Sequence, residues 1–431
     1  SEQRSADTFG KGGSMRSRPF TSRVGYILVL GISVKFFVDI SVQLFNPFLV
    51  MYAAGIGVSA ITMGRLVSVR NLSGLMAPLI GSLADRYGYR LIMRFNLFVA
   101  GAGVFLFATG AGIPVLVTAM IIWGIGQGGF TPNMHSYLSA MLPYSRRSRY
   151  IGTLEYSWAL SGIVGLFLFG LVFEHYGWRT TLYILGGGMM LSALVMGTLP
   201  KNGRHSGPHE NEPPEPPEPP EPPEPGSPKT GAAGRIRNFF YLGKHQRSAW
   251  SCILISVFNF FAITHIMIIH GGWLEAEYAF GPSKLGLVAL LMGLFDWAGS
   301  ILVSTAGDRI GKKRSVFIGI TGMLACFLLL PFMNTGVYPA VAGLLLPRFF
   351  FEFATVSNFP LISEQNPGQR GKILSFSVAG GLLGTTVAAN TGPAAYLKLG
   401  VWGLGPVSAG AVVVSLALIL LFVQEEPHRM R

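Results

Sequence analysis

Charge is scarce in this chain. Asp, Glu, Lys and Arg together supply 12% of its 431 residues, whereas a water-soluble domain carries about a quarter. A fold bathed by water on every side is therefore excluded as a starting point. Cysteine is nearly absent too: Cys252 and Cys326 both fall inside apolar runs without metal-ligand spacing, so they read as small buried hydrophobes. Catalytic signatures are missing. There is no glycine-rich phosphate loop ending in lysine, which argues against ATP-driven work, and no Ser-His-Asp order, Cys-x-x-Cys pair or His-Glu-x-x-His helix. The expectation is a protein that is not an enzyme and holds no cofactor and no metal. Strand-like alternation and Asn-Gly or Asp-Gly turns are scarce as well, which leaves helices.

What is present is apolar. Half the residues are hydrophobic, 56 are glycine, and the mean hydropathy is +0.47. Stretches of about 20 apolar residues, the length that crosses a bilayer, recur along the chain. Six are expected before the middle, at about 25–51, 59–84, 91–111, 115–141, 150–173 and 180–199. Six more follow at about 249–271, 283–306, 315–334, 337–361, 372–395 and 402–423. The first run is too long for a cleavable signal peptide and lacks a small-residue cleavage site. These spans divide the chain into a tail 1–23, a bundle 24–200, a polar connection 201–247, a second bundle 248–424 and a tail 425–431.

The net charge of +13 raises the question of nucleic acid, and its distribution answers it. Basic residues crowd alternate loops: Arg16, Arg18 and Arg23; Arg86, Arg90 and Arg94; Arg146, Arg147 and Arg149; Arg235, Arg237 and Lys244; Lys312, Lys313 and Arg314; Arg370 and Lys372. Intervening loops hold few, chiefly Arg179, Lys284 and Lys398. This is the positive-inside asymmetry, which puts both termini and the central connection in the cytoplasm of a multi-pass protein of the inner membrane. A basic face against anionic lipid accounts for the charge, and no nucleic-acid partner is expected. Inside the connection, Glu212 to Pro225 repeats Glu-Pro-Pro, a polyproline II rod reaching about 40 Å. It reads as a stiff tether, with a docking site for a proline-recognising partner as the other reading. From Arg235 to Arg247 basic and aromatic residues alternate, which suits a short amphipathic helix on the inner leaflet.

One motif occurs twice, each time after an apolar span. GSLADRYGYR runs from Gly81 to Arg90 and STAGDRIGKKR from Ser304 to Arg314, sharing the cores Asp85-Arg86-Tyr87-Gly88 and Asp308-Arg309-Ile310-Gly311. The doubled copy resembles the loops between helices two and three and between helices eight and nine of major facilitator superfamily transporters. Gly177-Trp178-Arg179 resembles that family's outer loop between helices five and six. Trp123-Gly124-Ile125-Gly126 resembles its helix-four motif, with Met120 where an arginine is expected, and Arg348 takes the equivalent place in the second half. The resemblance covers about Arg23 to Glu425. Span five carries Gly152, Gly162, Gly165 and Gly170 but lacks the exporters' Gly-Pro spacing, which weakens a drug-efflux reading. The resemblance implies an all-α membrane protein of twelve transmembrane helices in two pseudo-symmetric six-helix bundles. It also implies inverted three-helix units within each bundle and a substrate cavity between the bundles. The repeated loops would form a cytoplasmic gate of Asp85, Arg86, Gly88, Arg90, Asp308, Arg309 and Gly311 that latches the halves and opens as they rock. The plainer reading of the same basic residues is a topology anchor.

Charges inside the spans are sharper clues, because each costs about 2.5–3.5 kcal/mol on insertion scales and needs a cavity or a partner. Lys35 and Asp39 lie one turn apart on span one. Arg70 precedes Asp85 by fifteen residues, placing it about 22 Å from that boundary, and Asp296 lies about 18 Å deep. Arg348 and Glu352 are one turn apart in span ten. The family's cavity is lined by helices one, four, seven and ten and flanked by two and eight, which would gather Asp39, Lys35, Arg70, Asp296, Arg348 and Glu352 there. Lys35–Asp39 and Arg348–Glu352 also fit neutral i,i+4 pairs with a structural role only. Asp39 with Arg70 on the neighbouring helix reads as a coupling site, whereas Glu155 reads as part of the cytoplasmic charge network. His265 reads as a hydrogen-bonded core residue rather than a proton relay.

The function expected is a monomeric secondary transporter of a small molecule or ion, working by alternating access and driven by protons. Lys35, Arg70 and Arg348 favour uptake of a small organic anion; Asp39, Asp296 and Glu352 favour export of cationic or amphiphilic compounds. A receptor or scaffold that does not transport is the rival from another class.

Overall fold

The computed structural model describes residues 18–76, 80, 83–84, 86–141, 150, 153–200, 240–243, 245–366 and 370–425. The tail 1–17, Asp85, Arg146, Arg147 and Arg149, the Glu-Pro-Pro run, Arg235, Arg237 and Lys244 lie outside the described residues, as does the side chain of Asp308.

Apolar runs without strand alternation fold into helices throughout, and no strand occurs among the described residues. The first half contains α1 (Arg18–Gln43), α2 (Phe45–Ile56), α3 (Ala60–Gly74), α4 (Tyr89–Ala108), α5 (Ile113–Met141), α6 (Tyr156–Tyr176) and α7 (Trp178–Val195). The second contains α8 (Gln246–Met267), α9 (His270–Tyr278), α10 (Pro282–Ile310), α11 (Lys312–Leu329), α12 (Val337–Glu364), α13 (Arg370–Leu399) and α14 (Val401–Leu421). Eleven helical segments are each long and apolar enough to cross a membrane, the first of them prolonged by α2; α3, bent from α2 by 117°, takes second place in the first bundle and brings the number to as many as twelve.

The first span runs beyond the expected 25–51, and it is broken. Pro47 has no N–H to give the carbonyl of Gln43, and the helix is interrupted at Leu44. Leu44 keeps helical angles and its N–H reaches Ile40 at 2.8 Å, so α1 and α2 act as one kinked helix. The chain reverses at Gly57, left-handed at φ 85°, and Ser59 then caps α3 by accepting from the Thr62 N–H at 3.1 Å. The seventh span is interrupted similarly, between α8 and α9. Span five contains a π-helical turn, Ser161–Gly165. The amphipathic helix expected up to Arg247 is not formed over 241–243. There Gly243 takes φ 89°, and Lys372 and Asn366 donate to the carbonyls of Tyr241 and Leu242 at 2.7 and 3.1 Å. Those carbonyls have no need of a helical partner.

Burial is arranged for lipid outside. Phe95, Phe98, Leu191, Leu328, Phe332, Trp402 and Leu420 are exposed, while Phe45, Tyr52, Phe107 and Trp123 pack edge-on inside the first bundle. So large an exposed apolar belt suits a bilayer and not water.

Among the described residues the two bundles meet chiefly through three helix pairs, α3 with α13, α6 with α10, and α2 with α9, with a smaller contact of α2 against α10. With α1–α2 and α8–α9 each counted once, these are helices two and eleven, five and eight, and one and seven. A shift of six helices exchanges the first two pairs and returns the third to itself, which is the pseudo-two-fold of the duplicated sequence. The contacts concentrate at the end opposite residues 18 and 425, here the far end. At that end Gly271 abuts the Pro47 carbonyl and Gly64 abuts the Ala389 carbonyl. Ser68 donates to the Thr386 carbonyl at 2.9 Å and receives the Asn390 amide at 2.5 Å. The Ser283 N–H reaches Glu174 at 2.9 Å.

Candidate functional site

A cavity of ≈ 520 Å³ lies between the bundles, below those contacts. Its walls are largely aromatic and aliphatic, and its charged lining residues are Arg70, Glu155, Arg348 and Glu352. Two of the four come from each bundle.

In the first bundle, α1 presents Lys35 and Asp39 on one face, four residues apart, as helical spacing dictates. The Lys35 ammonium, 2% exposed, lies 3.1 and 2.9 Å from the two oxygens of Asp39. It also donates to Glu155 at 3.0 Å and to Ser157 at 3.2 Å. Ser157 in turn donates to Asp39 at 2.6 Å, and the far oxygen of Glu155 meets His135 Nε2 at 2.7 Å. One ammonium thus serves two carboxylates, and Glu155 carries the network from buried Asp39 to the cavity wall. Glu155, half-exposed, therefore joins the cluster through Lys35, while Arg146, Arg147 and Arg149 of the expected cytoplasmic network lie outside the described residues. Sequence reading underrated it because it stands only a few residues inside span five. The available signal was Lys35, a buried cation with a single acid on its own helix.

Arg70, read together with Asp39 from the neighbouring helices, does not join this cluster. Its guanidinium turns to the break in helix one, donating to the carbonyls of Ser41 at 2.6 Å and Val42 at 3.3 Å. The kink explains the choice: carbonyls in the last turn of α1 are weakly served by the chain beyond, and they form the negative end of that helix's dipole. The guanidinium also faces the rings of Phe45 at 5.2 Å and Trp123 at 5.4 Å. Trp123-Gly124-Ile125-Gly126 makes this geometry possible: Gly124 admits the Arg70 backbone and Gly126 admits α4. No carboxylate lies within 4.0 Å of Arg70 among the described residues, and its Nε is buried without a partner.

In the second bundle the expected Arg348–Glu352 pair is replaced by contacts across helices. α10 and α12 cross at Gly299, where a Cβ would stand 2.7 Å from the Phe349 carbonyl. This crossing sets Asp296 and Ser300 opposite Arg348 and Glu352. Arg348 makes a close ion pair with Asp296, and Glu352 accepts from Ser300 at 2.9 Å. His265 is buried, 3.5 Å from Ser408, outside the cavity lining.

The repeated signatures share one backbone geometry. Gly88 has φ 95° and ψ 135°, Gly311 φ 93° and ψ 145°, angles suited to glycine, and each opens the following helix. Two residues after its glycine each signature carries a base. Arg90 donates to the Gly197 carbonyl, and Lys313 donates to the Val423 carbonyl at 2.7 Å. Each base thus satisfies a carbonyl at the end of the sixth helix of its own bundle. Arg86 and Arg309 are exposed and make no ion pair among the described residues, and Asp85 and the Asp308 side chain, the acids of the expected latch, lie outside them.

A family model described as Major Facilitator Superfamily matches residues 32–270 and 250–431. The chain is similar to the uncharacterized MFS-type transporter YceJ of Bacillus subtilis, 25% identical over 90% of this chain and 94% of that protein. It is 24% identical to the multi-drug resistance efflux pump PmrA homolog of Lactococcus lactis, over 76% of each. A D-xylose-proton symporter shares the fold at TM-score 0.70 and 17% identity, covering 94% of this chain and 98% of that one.

Proposed function

The chain belongs to the major facilitator superfamily, and from that premise we propose a proton-coupled transporter that exposes its central cavity alternately to the two sides. The carrying observation is the cavity itself: charged residues from both bundles line it, and among the described residues the hydrogen bonds between the bundles lie toward the far end. A receptor or scaffold has no use for intramembrane charges placed between movable halves. Arg86, Arg90, Arg94, Arg309, Lys312 and Lys313 lie at the end nearest residues 18 and 425, which supports a cytoplasmic assignment for that end and an inward-open conformation. The aromatic cavity walls and the efflux-pump relative favour export of amphiphilic compounds over uptake.

Coupling is assigned to the cluster of Asp39, Lys35 and Glu155. Two carboxylates share one ammonium, so Asp39, Lys35 and Glu155 together carry one negative charge, and a single proton balances it. Loading and release of that proton would change the cost of burying the cluster as the halves rock. The test is transport of a panel of aromatic amphiphiles in proteoliposomes under an imposed pH gradient. Asp39→Asn should abolish gradient-driven accumulation and leave gradient-free exchange in place. Accumulation at the wild-type level would remove Asp39 from the coupling role and turn attention to Glu155, Asp296 and Glu352.

A further inference from the structure

The charged side chains of the cavity region do not all find partners. Lys35 is held by Asp39 and Glu155, and Arg348 by Asp296. Among the described residues that line the cavity, two charged groups have no ion pair, one on each bundle and of opposite sign. Arg70 in the first bundle has only neutral acceptors, the Ser41 and Val42 carbonyls and the Asn71 side-chain oxygen at 3.4 Å. Glu352 in the second has only the Ser300 hydroxyl on Oε1, and no cationic nitrogen lies within 4.0 Å of it among the described residues. Both line the cavity, between Phe45, Trp158, Phe260, Phe351 and Phe359.

We propose that the cavity is built for a zwitterionic amphiphile with an apolar or aromatic body, its anionic group on Arg70 and its cationic group on Glu352. This deepens the transporter reading and rests on it. A buried guanidinium that meets carbonyl oxygens and aromatic faces but no anion is incompletely compensated, and an ionised ligand oxygen would form a stronger, charge-assisted bond with it. The same reasoning gives Glu352 a ligand ammonium. A ligand carrying both charges spans the two bundles, and its apolar body removes aromatic surface from water. A singly charged ligand would leave one of the two protein charges uncompensated, so the pair rejects simple anions and simple cations alike.

The test uses three probes with one tail: N-(4-phenylbutyl)-N,N-dimethylglycine, 4-phenylbutyltrimethylammonium and 5-phenylpentanoate. Each is titrated calorimetrically into the full-length protein in lipid nanodiscs, with empty nanodiscs as the blank. The betaine should bind about tenfold or more tightly than either singly charged probe, as expected for one added charge-assisted contact. Arg70→Gln should bring the betaine down to the level of the cation without altering the cation. Glu352→Gln should bring it down to the level of the anion without altering the anion. Equal binding of betaine and cation by the wild type, or an unchanged betaine preference in Arg70→Gln, overturns the proposal and leaves Arg70 as a cap for the broken helix. Should Arg70→Gln weaken all three probes together, Arg70→Lys decides: a retained betaine preference supports the assignment and a lost one overturns it. Binding needs neither gradient nor turnover. A betaine preference in a protein that never accumulates solute would count against transport alone. Lack of preference in a protein that does accumulate solute would count against this assignment alone.

Discussion

Asp296 and Arg348 show how much a single side chain depends on its partner within a bilayer. Both are largely withdrawn from solvent, and Asp296 Oδ1 is buried without a hydrogen bond even while Oδ2 holds the guanidinium. Replacing Arg348 with methionine strands a carboxylate among apolar side chains, a loss of about 3–5 kcal/mol by analogy with broken buried pairs. Replacing both, as Arg348→Met with Asp296→Leu, removes the stranded charge along with its partner and should recover most of that stability. Thermal unfolding of the purified protein in detergent checks the order: wild type and double variant close together, single variant well below. A double variant as unstable as the single one would show that the pair is needed for packing and not merely for charge balance. The same residues mark where sequence reading stops. Lys35 and Asp39 were legible as a pair because helical spacing alone brings them together. Arg348 had an equally good candidate four residues away in Glu352, yet the crossing at Gly299 offered it Asp296 on another helix. Local spacing encodes the first kind of contact and is silent on the second.

Among the elements, the far-end contacts are made by residues with almost no side chain. Gly271 of α9 and Gly64 of α3 let helices from opposite bundles touch backbone to backbone, the close packing that substitutes for hydrophobic drive inside a membrane. A methyl group at Gly271 would collide with the Pro47 carbonyl, which cannot swing aside as a side chain could. Gly271→Ala should therefore disfavour the far-end seal and populate the state open at that end. Cysteine placed at Ser68, with Cys252 and Cys326 replaced by serine, should then react faster with a membrane-impermeant maleimide applied from the far side. An unchanged labelling rate would mean that the helices part without help from these contacts. Element positions were largely readable in advance, since runs of about 20 apolar residues are set by bilayer thickness. The breaks were less so. Pro47 was visible, but the interruption at Leu44 matters only because Arg70, on α3, reaches the carbonyls beside it.

At the scale of the whole molecule, two bundles related by a shift of six helices hold a cavity between them, and residues 200 and 245, between which the connection runs in sequence, lie at the end opposite the seal. If that connection is a tether, exchanging Glu212 to Pro225 for a Gly/Ser chain of similar reach should leave transport in proteoliposomes within about twofold of the wild type, since flexible chains of equal span hold their ends at similar effective concentration. A large loss with normal membrane insertion would assign the segment a partner or a gating task. The doubled signature was the whole-molecule clue in the sequence, and the shared glycine angles at Gly88 and Gly311 are its structural counterpart.

The small bonds from Arg90 to Gly197 and from Lys313 to Val423 bear on the order in which the gene is written. Each fastens the start of a bundle's third helix to the end of its sixth, so these straps close each bundle with its own residues. Residues 18, 200, 245 and 425 then all emerge on one face. A circularly permuted gene, encoding 245–425 ahead of 18–200 with a flexible join, has the same two closed units to assemble and the same face on which to join them.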